Sequence, residues 1–337
     1  LLEGWVRRLP RFWSVYFFIY LLLWSFIVAG ALISATGLAV HAMVPAISVE
    51  AGGAMQSLIA AGLVLFGRYR LLEVMMKFFI LLMFAVVLYC AVALQPDWGS
   101  VIGAIAVPRL PEGSVFFVLG VIGGVGGSVT LLSYGYWMRE RGWSGSGQLR
   151  QVRIDLLVAY GLTGLFGIAI MVISAGVSPD VLSGSKMVLA VAEEMGATVG
   201  DIGKWCFLIG FWGAVFSSML GVWQGVPYLF ADFVHEWRNK TGDKVIDTRS
   251  VPYRAYLAFL AIPPMVLLWS GKPVWVVLAY AVAGAAFMPL LAGLLLYMNG
   301  FRNWLGPLRN RWQANLVLLA AVVLFAVLLI QKLIDVI

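Results

Sequence analysis

Long uninterrupted apolar runs recur along the whole chain, and short polar or basic stretches separate them. A helix needs about 20 apolar residues to cross the hydrocarbon core of a bilayer, and most of these runs approach or exceed that length. A membrane β-barrel would instead show shorter segments of alternating polarity. The pattern therefore predicts nine membrane-spanning helices, at Ser14–Met43, Met55–Phe66, Leu71–Leu94, Val115–Trp137, Ile154–Gly176, Trp205–Phe233, Tyr253–Ser270, Val274–Met298 and Ala314–Ile330.

The composition of the chain agrees with this pattern. Of its 337 residues, 62% are hydrophobic and 12% are charged, whereas a soluble domain has about 45–50% apolar and about 25% charged residues. We therefore predict an all-α polytopic membrane protein whose first partner is the lipid bilayer. Cys90 and Cys206 lie within apolar runs, so we expect small buried side chains, with neither a disulfide nor a thiolate metal site.

Basic residues are distributed unevenly between the two predicted sides of the membrane. With the N-terminus in the cytoplasm, only five of the 23 lysines and arginines lie outside, namely Arg109, Lys186, Lys204, Lys272 and Lys332. This bias is the positive-inside signal, and it accounts for the net charge of +7 without a nucleic-acid partner. We expect an integral protein of a bacterial inner (plasma) membrane. The acidic outer loop Ser178–Lys204 is either an ordinary solvated loop or a vestibule that attracts cations.

A glycine-rich stretch interrupts the fourth predicted span, where five of the eight residues from Gly120 to Gly127 are glycine. Each glycine weakens a helix by about 1 kcal/mol relative to alanine. Two interpretations remain open. The small residues recur at four-residue spacing, which favours close helix packing. Alternatively, the helix is broken here, and its freed carbonyls and amides line a site at mid-membrane depth. Pro263, Pro264 and Pro289 predict further interruptions, which are typical of secondary transporters.

Polar residues within the spans are the other candidates for function, because they are expensive there. We expect Glu73 and Lys77 to pair at i,i+4 spacing, and Arg153 and Asp155 to form a gate or a snorkelling pair. Three further residues are interpreted as interhelical hydrogen-bonding groups, namely Ser217, Ser218 and Gln224. The polar end of that span is expected to be solvated, at Asp232, His235 and Glu236.

No constellation of an enzyme is present in the sequence. His41 and His235 are the only histidines, so a zinc or haem site is not expected. The chain also lacks a Walker-type phosphate loop and a Gly-x-Ser-x-Gly nucleophile turn. We therefore predict that the protein is not an enzyme and has no cofactor.

Several segments resemble one transporter family. The run Val118–Gly127, followed by a polar half-helix to Arg141, resembles the sixth helix of natural-resistance-associated macrophage protein (Nramp) divalent metal transporters. Gly67–Glu73 resembles the family's junction between helices four and five. Two further segments resemble the end of its tenth helix, Phe287–Leu291 and Asn299–Gly300. On this resemblance the nine spans are the family's helices three to eleven, and we expect a chain truncated before them.

The resemblance also implies a fold and a place for the metal. The family has the LeuT-type fold, with two inverted five-helix repeats. This implies one transporter domain over residues 1–337, made of a partial first repeat (1–113), a second repeat (114–300) and an additional C-terminal helix (301–337). The metal binds between helices one and six. Helix six of the family supplies a backbone carbonyl and, three residues later, a methionine sulfur, and these positions fall at Gly124 and Gly127.

This chain departs from the family at that site. The proline, histidine and asparagine that usually follow fall at Ser128, Val129 and Thr130. Without the thioether, helix six offers only carbonyl and hydroxyl oxygens to the transported ion. Oxygen ligands suit Mg²⁺, whereas a thioether favours softer transition metals. We therefore predict Mg²⁺ transport, with Mn²⁺ also accepted, as in the Nramp-related magnesium transporter branch. The predicted metal-binding residues are Gly123, Gly124, Gly127, Ser128 and Thr130.

Proton coupling is predicted to be weak or absent. Ser14–Val40, the counterpart of helix three, contains no Asp, Glu, Lys, Arg or His. The position of the family's sixth-helix histidine is Val129, and a proton relay needs titratable groups. Two alternatives to a metal transporter remain open. One is a LeuT-type carrier of an organic solute or amino acid, and the other is a membrane scaffold that transports nothing. The oligomeric state stays open.

Overall fold

The computed structural model describes residues 2–67, 69–107, 109, 114, 118, 121, 129–143, 146–175, 186–239, 248–270, 273–301, 306 and 309–334. Two short segments are 3₁₀-helical, at Ser146–Gln148 and Pro263–Ser270, and one is π-helical, at Leu296–Phe301. The α-helices are α1 (Leu2–Arg8), α2 (Arg11–Met43), α3 (Val49–Phe66), α4 (Tyr69–Ala93), α5 (Trp98–Ala106), α6 (Thr130–Glu140), α7 (Leu149–Ala175), α8 (Lys186–Val199), α9 (Asp201–Asn239), α10 (Val251–Ala261), α11 (Pro273–Leu295) and α12 (Trp312–Ile334).

The helices confirm an all-α polytopic membrane protein. Within the described residues, six helical segments are long and apolar enough to cross a bilayer, and two shorter apolar stretches lie in α11 with the π segment and in α12. Every predicted span overlaps one of the helices, but most of Val115–Trp137 lies outside the described residues. The second span begins earlier than predicted, at Val49, because the Ser48 hydroxyl accepts a hydrogen bond from the Ala51 amide and caps the helix.

The chain forms two compact units. The first contains Leu1–Pro108 and Leu132–Val277, and the second contains Arg109–Leu131 and Leu278–Ile337. The boundaries of the inverted repeats stay a prediction, since a division by compactness does not test them.

One part of the core of the first unit is a group of packed helices, α2, α3, α9 and α10, joined by the 3₁₀ segment Pro263–Ser270, and α4 packs along α9 beside it. Backbone contacts between α2 and α3 depend on two glycines. A Cβ atom at Gly37 would lie 2.1 Å from the Val49 carbonyl oxygen, and one at Gly53 would lie 2.5 Å from that of Ile33. Aromatic rings join α2, α9 and α10, for example Phe230 on Tyr256 with ring centroids 4.2 Å apart. These dry contacts make the four helices a closely packed frame.

The expected interruption at proline is confirmed in one span and wrong in another. The α-helix of α10 ends at Ala261, and Pro263–Ser270 continues it as a 3₁₀-helix. The Ser57 hydroxyl of α3 donates a 2.8 Å hydrogen bond to the Ala261 carbonyl at this change. In the second unit, α11 continues through Pro289 without ending. The backbone changes only after Leu295, where the π segment begins.

The predicted outer loop Ser178–Lys204 contains a helix. Residues 178–185 lie outside the described residues, but α8 occupies Lys186–Val199. Ala192 and Met195 of α8 are fully buried in a cluster with Phe207 and Leu208 of α9, whereas Glu193 is exposed. The prediction of a loop is therefore wrong for this part, because apolar residues at helical spacing bind α8 to its neighbour.

Candidate functional site

Most of the predicted metal-binding residues cannot be placed. Gly123, Gly124, Gly127 and Ser128 lie outside the described residues. Thr130 is the first residue of α6 and is half-buried, and the preceding Val129 is fully buried. A helix therefore begins directly after the glycine-rich stretch. The first amides of a helix have no intrahelical acceptor, so this end of α6 carries a positive partial charge.

Hydrogen bonds between side chains attach one face of α6 to α9. The Trp137 indole N–H donates to the Gln224 side-chain oxygen at 2.5 Å, and the Tyr136 hydroxyl donates to the Asp232 carboxylate at 2.5 Å. One turn later, Glu140 accepts a 2.7 Å hydrogen bond from the Tyr228 hydroxyl. Tyr136 and Trp137 lie four and three residues before Glu140, so each is one helical turn from it on the side of α6 that meets α9.

A close approach of the two helices allows this set of bonds to form. A Cβ atom at Gly225 of α9 would lie 2.9 Å from the Cβ and hydroxyl oxygen of Ser133 and 3.2 Å from a ring carbon of Trp137. Ser133 is itself fully buried. Glycine at this position therefore lets α6 approach α9 closely enough for the side-chain hydrogen bonds with Gln224, Tyr228 and Asp232.

The same short helix is also bonded to α7 and α4. The Tyr134 hydroxyl donates to the Asp155 carboxylate at 2.8 Å, so the partner of Asp155 is this tyrosine and not the expected Arg153. Glu73 of α4 forms an ion pair with Arg141, directly after α6, and accepts a 2.7 Å hydrogen bond from Lys77. The predicted pair of Glu73 and Lys77 is confirmed. Three helices thus hold α6 through polar contacts.

The polar residues of α9 differ in whether their partners lie on another helix or on α9 itself. Gln224 makes the expected interhelical bond. Ser217 and Ser218 do not, because both hydroxyls donate to the Ala214 carbonyl of their own helix at 2.9 Å. The expectation of a solvated end is wrong for Glu236, which is 5% exposed and forms a 2.8 Å ion pair with Arg7 of α1.

Comparison of the sequence with models of known protein families gives a match over nearly the whole chain. The model of the family described as natural resistance-associated macrophage protein-like (Nramp) matches residues 1–335. The chain belongs to the Nramp family. No curated protein matches it. Nramp proteins are transporters of divalent metal cations, so membership implies an integral membrane transporter whose substrate is a divalent metal ion.

The carboxylates around α6 in this Nramp protein serve helix packing. Each accepts a bond from a tyrosine or a cation, as Asp155, Asp232 and Glu140 illustrate. Within the described ranges, no three His, Cys, Asp or Glu side chains are grouped so that they could hold a metal. Sequence reasoning missed the bonds of Tyr134, Tyr136 and Tyr228. The two tyrosines of the polar half-helix, Tyr134 and Tyr136, were the available signal, but their partners are distant in the sequence.

Proposed function

We propose that this Nramp protein transports Mg²⁺, with Mn²⁺ as a second substrate, by alternating access and with weak or no proton coupling. The observation that carries the proposal is Gly127, which stands where the family places a methionine sulfur. The side-chain donors that remain nearby are the hydroxyls of Ser128 and Thr130. A site built from oxygen atoms favours a hard cation, and Mg²⁺ retains several waters for which glycine leaves room.

The start of α6 at Thr130 indicates which backbone groups of the glycine-rich stretch suit a cation. The N-terminal end of a helix repels a cation, because the aligned peptide dipoles sum to a positive partial charge there. The backbone carbonyls of Gly123, Gly124 and Gly127 are therefore the proposed ligands of the ion, and the first amides of α6 are not. Transporters use the unwound carbonyls of discontinuous helices in this way to hold cations.

The residues of α2 support weak proton coupling. α2 is the counterpart of the family's third helix, and its buried side chains between Ser14 and Val40 are apolar or carry a hydroxyl. The Thr36 hydroxyl donates to the Leu32 carbonyl of its own helix at 2.8 Å, so it is committed to the backbone. Uptake would then follow the membrane potential, from which a doubly charged ion gains about 4.6 kcal/mol per 100 mV.

The proposed mechanism uses the LeuT-type arrangement of two inverted repeats, with boundaries near residues 113 and 300. The closely packed frame of α2, α3, α9 and α10 stays fixed. α6 moves against it, since hydrogen bonds, one aromatic stack and the Gly225 approach account for its described attachment to α9. The proposed location is a bacterial inner membrane with the N-terminus in the cytoplasm, and the bias of basic residues supports this orientation.

The test is transport by the purified protein in liposomes. Mg²⁺ and Mn²⁺ influx are followed together with internal pH, under an imposed inside-negative potential. We expect Mg²⁺ entry without acidification. Mn²⁺ entry alone, together with proton influx, would contradict both the oxygen-only site and the absence of a proton relay.

A substitution sharpens this test. Gly127→Met supplies the missing thioether and should raise Mn²⁺ influx relative to Mg²⁺ influx. Gly167→Met in α7 is the matched control, because a Cβ atom there meets nothing within 4 Å and the residue lies far from the stretch in sequence. An unchanged ratio in Gly127→Met would mean that Gly127 does not face the ion.

One observation favours a second candidate, a LeuT-type carrier of an organic solute or amino acid. The positive end of α6 at Thr130 suits a substrate carboxylate. Uptake of labelled amino acids into the same liposomes, with no movement of either metal ion, would favour this carrier.

A further inference from the structure

An apolar groove of about 440 Å³ lies between α3 and α10 in the first unit. Its walls include Leu58, Gly62 and Phe66 of α3 and Ala258 of α10, and Ile262 follows at the end of α10. Four of these side chains, Leu58, Phe66, Ala258 and Ile262, are exposed. Within a membrane-spanning protein, such a surface faces the hydrocarbon of the bilayer.

One end of the groove is defined by a hydrogen bond. The Ser57 hydroxyl donates to the Ala261 carbonyl, which fixes α3 beside the end of α10. From there α3 continues to Phe66, while α10 leads back to Arg254, and both residues line the groove. At 1.5 Å per residue these segments give a groove about 12 Å long. Its far end therefore contains an aromatic ring and an arginine.

The charged side chain in the lining of the groove is basic. Arg254 is exposed and is the charged residue of the lining. Arg68 and Arg70 follow Phe66 in sequence, and Arg249 precedes α10. Neither Ser57–Leu72 nor Arg249–Lys272 contains an aspartate or glutamate. Basic residues at the ends of membrane helices attract anionic headgroups.

We propose that this groove binds an anionic phospholipid, with one acyl chain between α3 and α10 and the headgroup phosphate at Arg254. The acyl chain extends along the groove to the point at which α10 changes to the 3₁₀ helix, between Ala261 and Pro263. The guanidinium supplies N–H donors to the phosphate. The bilayer supplies the occupant, and the positive charge selects anionic lipid over zwitterionic lipid.

Gly62 offers a direct test. A Cβ atom at Gly62 meets nothing within 4 Å, so Gly62→Leu fills the groove without a steric clash. Gly167→Leu in α7 is the matched control, since that half-buried glycine has equal space. Arg254→Gln removes the charge and leaves the groove open. A single symmetric peak in size-exclusion chromatography shows that each variant is folded.

The measurement is the retention of lipid by the purified protein from mixed phosphatidylglycerol and phosphatidylcholine nanodiscs, quantified after detergent washing. The wild type and Gly167→Leu should retain phosphatidylglycerol. Gly62→Leu should lose it, and Arg254→Gln should retain about fivefold less, because one arginine near an anionic surface contributes about 1 kcal/mol. Equal retention of both lipids by the wild type, or retention by Gly62→Leu equal to that of the control, would overturn the proposal.

Discussion

The hydroxyl of Tyr136 on α6 lies 2.5 Å from the carboxylate of Asp232 on α9 and donates a hydrogen bond to it. The Tyr136 ring also stacks on Tyr228, with an interplanar angle of 11°. Tyr228 in turn donates to Glu140, so one aromatic pair and two carboxylates connect the two helices. This arrangement makes the attachment of α6 depend on a few replaceable polar groups.

Removing the tyrosine hydroxyl should weaken that attachment. Tyr136→Phe deletes the donor and leaves the ring stack, so we expect a loss of about 2 kcal/mol, in the range for hydrogen bonds to charged groups. Thermal unfolding of the purified protein in detergent measures it. Tyr160→Phe on the exposed side of α7 is the control and should unfold like the wild type. Equal unfolding temperatures for both variants would show that the bond contributes no stability.

The ion pair of Arg7 and Glu236 should be asymmetric in its response to mutation. Glu236 is 6% exposed at its side chain and Arg7 is 30% exposed. Arg7→Gln leaves a buried carboxylate without its cation and should destabilise the protein by about 3 kcal/mol. The double variant Arg7→Gln/Glu236→Gln should recover much of this loss. A double variant less stable than Arg7→Gln would contradict the explanation.

The contact of α2 with α3 should not tolerate one added methyl group. A Cβ atom at Gly37 would lie 2.1 Å from a backbone oxygen, and the backbone has little freedom to move. We expect Gly37→Ala to destabilise the protein by about 3 kcal/mol, the upper part of the range for overpacking. Fluorescence-detected size-exclusion chromatography after heating measures the loss. Gly164→Ala in α7 should instead be neutral or stabilising, because its Cβ meets nothing within 4 Å.

The start of α5 should depend on pH through Asp97. Its carboxylate accepts hydrogen bonds from the Ser100 hydroxyl and from the Gly99 and Ser100 amides, and these bonds lower the pKa of Asp97. A lowered folded pKa means that the cap is intact above the ordinary pKa, about 3.9. Stability is lost as the pH falls through that value and then through the lower folded one.

Hydrogen exchange of the Gly99 and Ser100 amides, corrected for the intrinsic pH dependence, checks this expectation. Protection should decrease below about pH 4 in the wild type. Asp97→Asn retains an acceptor and should remove the pH dependence. Protection that stays constant to pH 2 in the wild type would contradict the role of the carboxylate.

Local relationships could be predicted from the sequence, and distant ones could not. Glu73 and Lys77 are four residues apart, so helix geometry alone brings them together. Arg7 and Glu236 are 229 residues apart, and no periodicity connects them. The contact requires α1 to lie against the end of α9, which depends on the packing of the whole first unit. The same reason explains why the partner of Tyr136 was not foreseen.

Competing signals explain the errors within single segments. Acidic residues led to the interpretation of residues 186–199 as a loop, although Val188, Ala192 and Met195 recur at helical spacing. Pro289 was expected to interrupt its span, but neighbouring turns continue the helix around it. The all-α, membrane-spanning character was predictable because the length and hydrophobicity of the apolar runs determine it. The residues that bind the ion remain predictions, since Gly123 to Ser128 lie outside the described part of the chain.

The glycine contact of α2 with α3 has a mechanical consequence. The backbones of α2 and α3 touch directly, so no water fits between them. Sliding one helix past the other would therefore lose packing contacts that water could not replace. The bonds of Tyr136, Trp137 and Tyr228 are different, because a water molecule can take the place of either partner at little net cost in free energy. During a transport cycle, helices should therefore separate where hydrogen bonds join them, as between α6 and α9, and not where their backbones pack directly, as between α2 and α3. On the proposed mechanism α2 and α3 would stay together in the fixed frame, and α6 would separate from α9 as its hydrogen-bonding groups become hydrated.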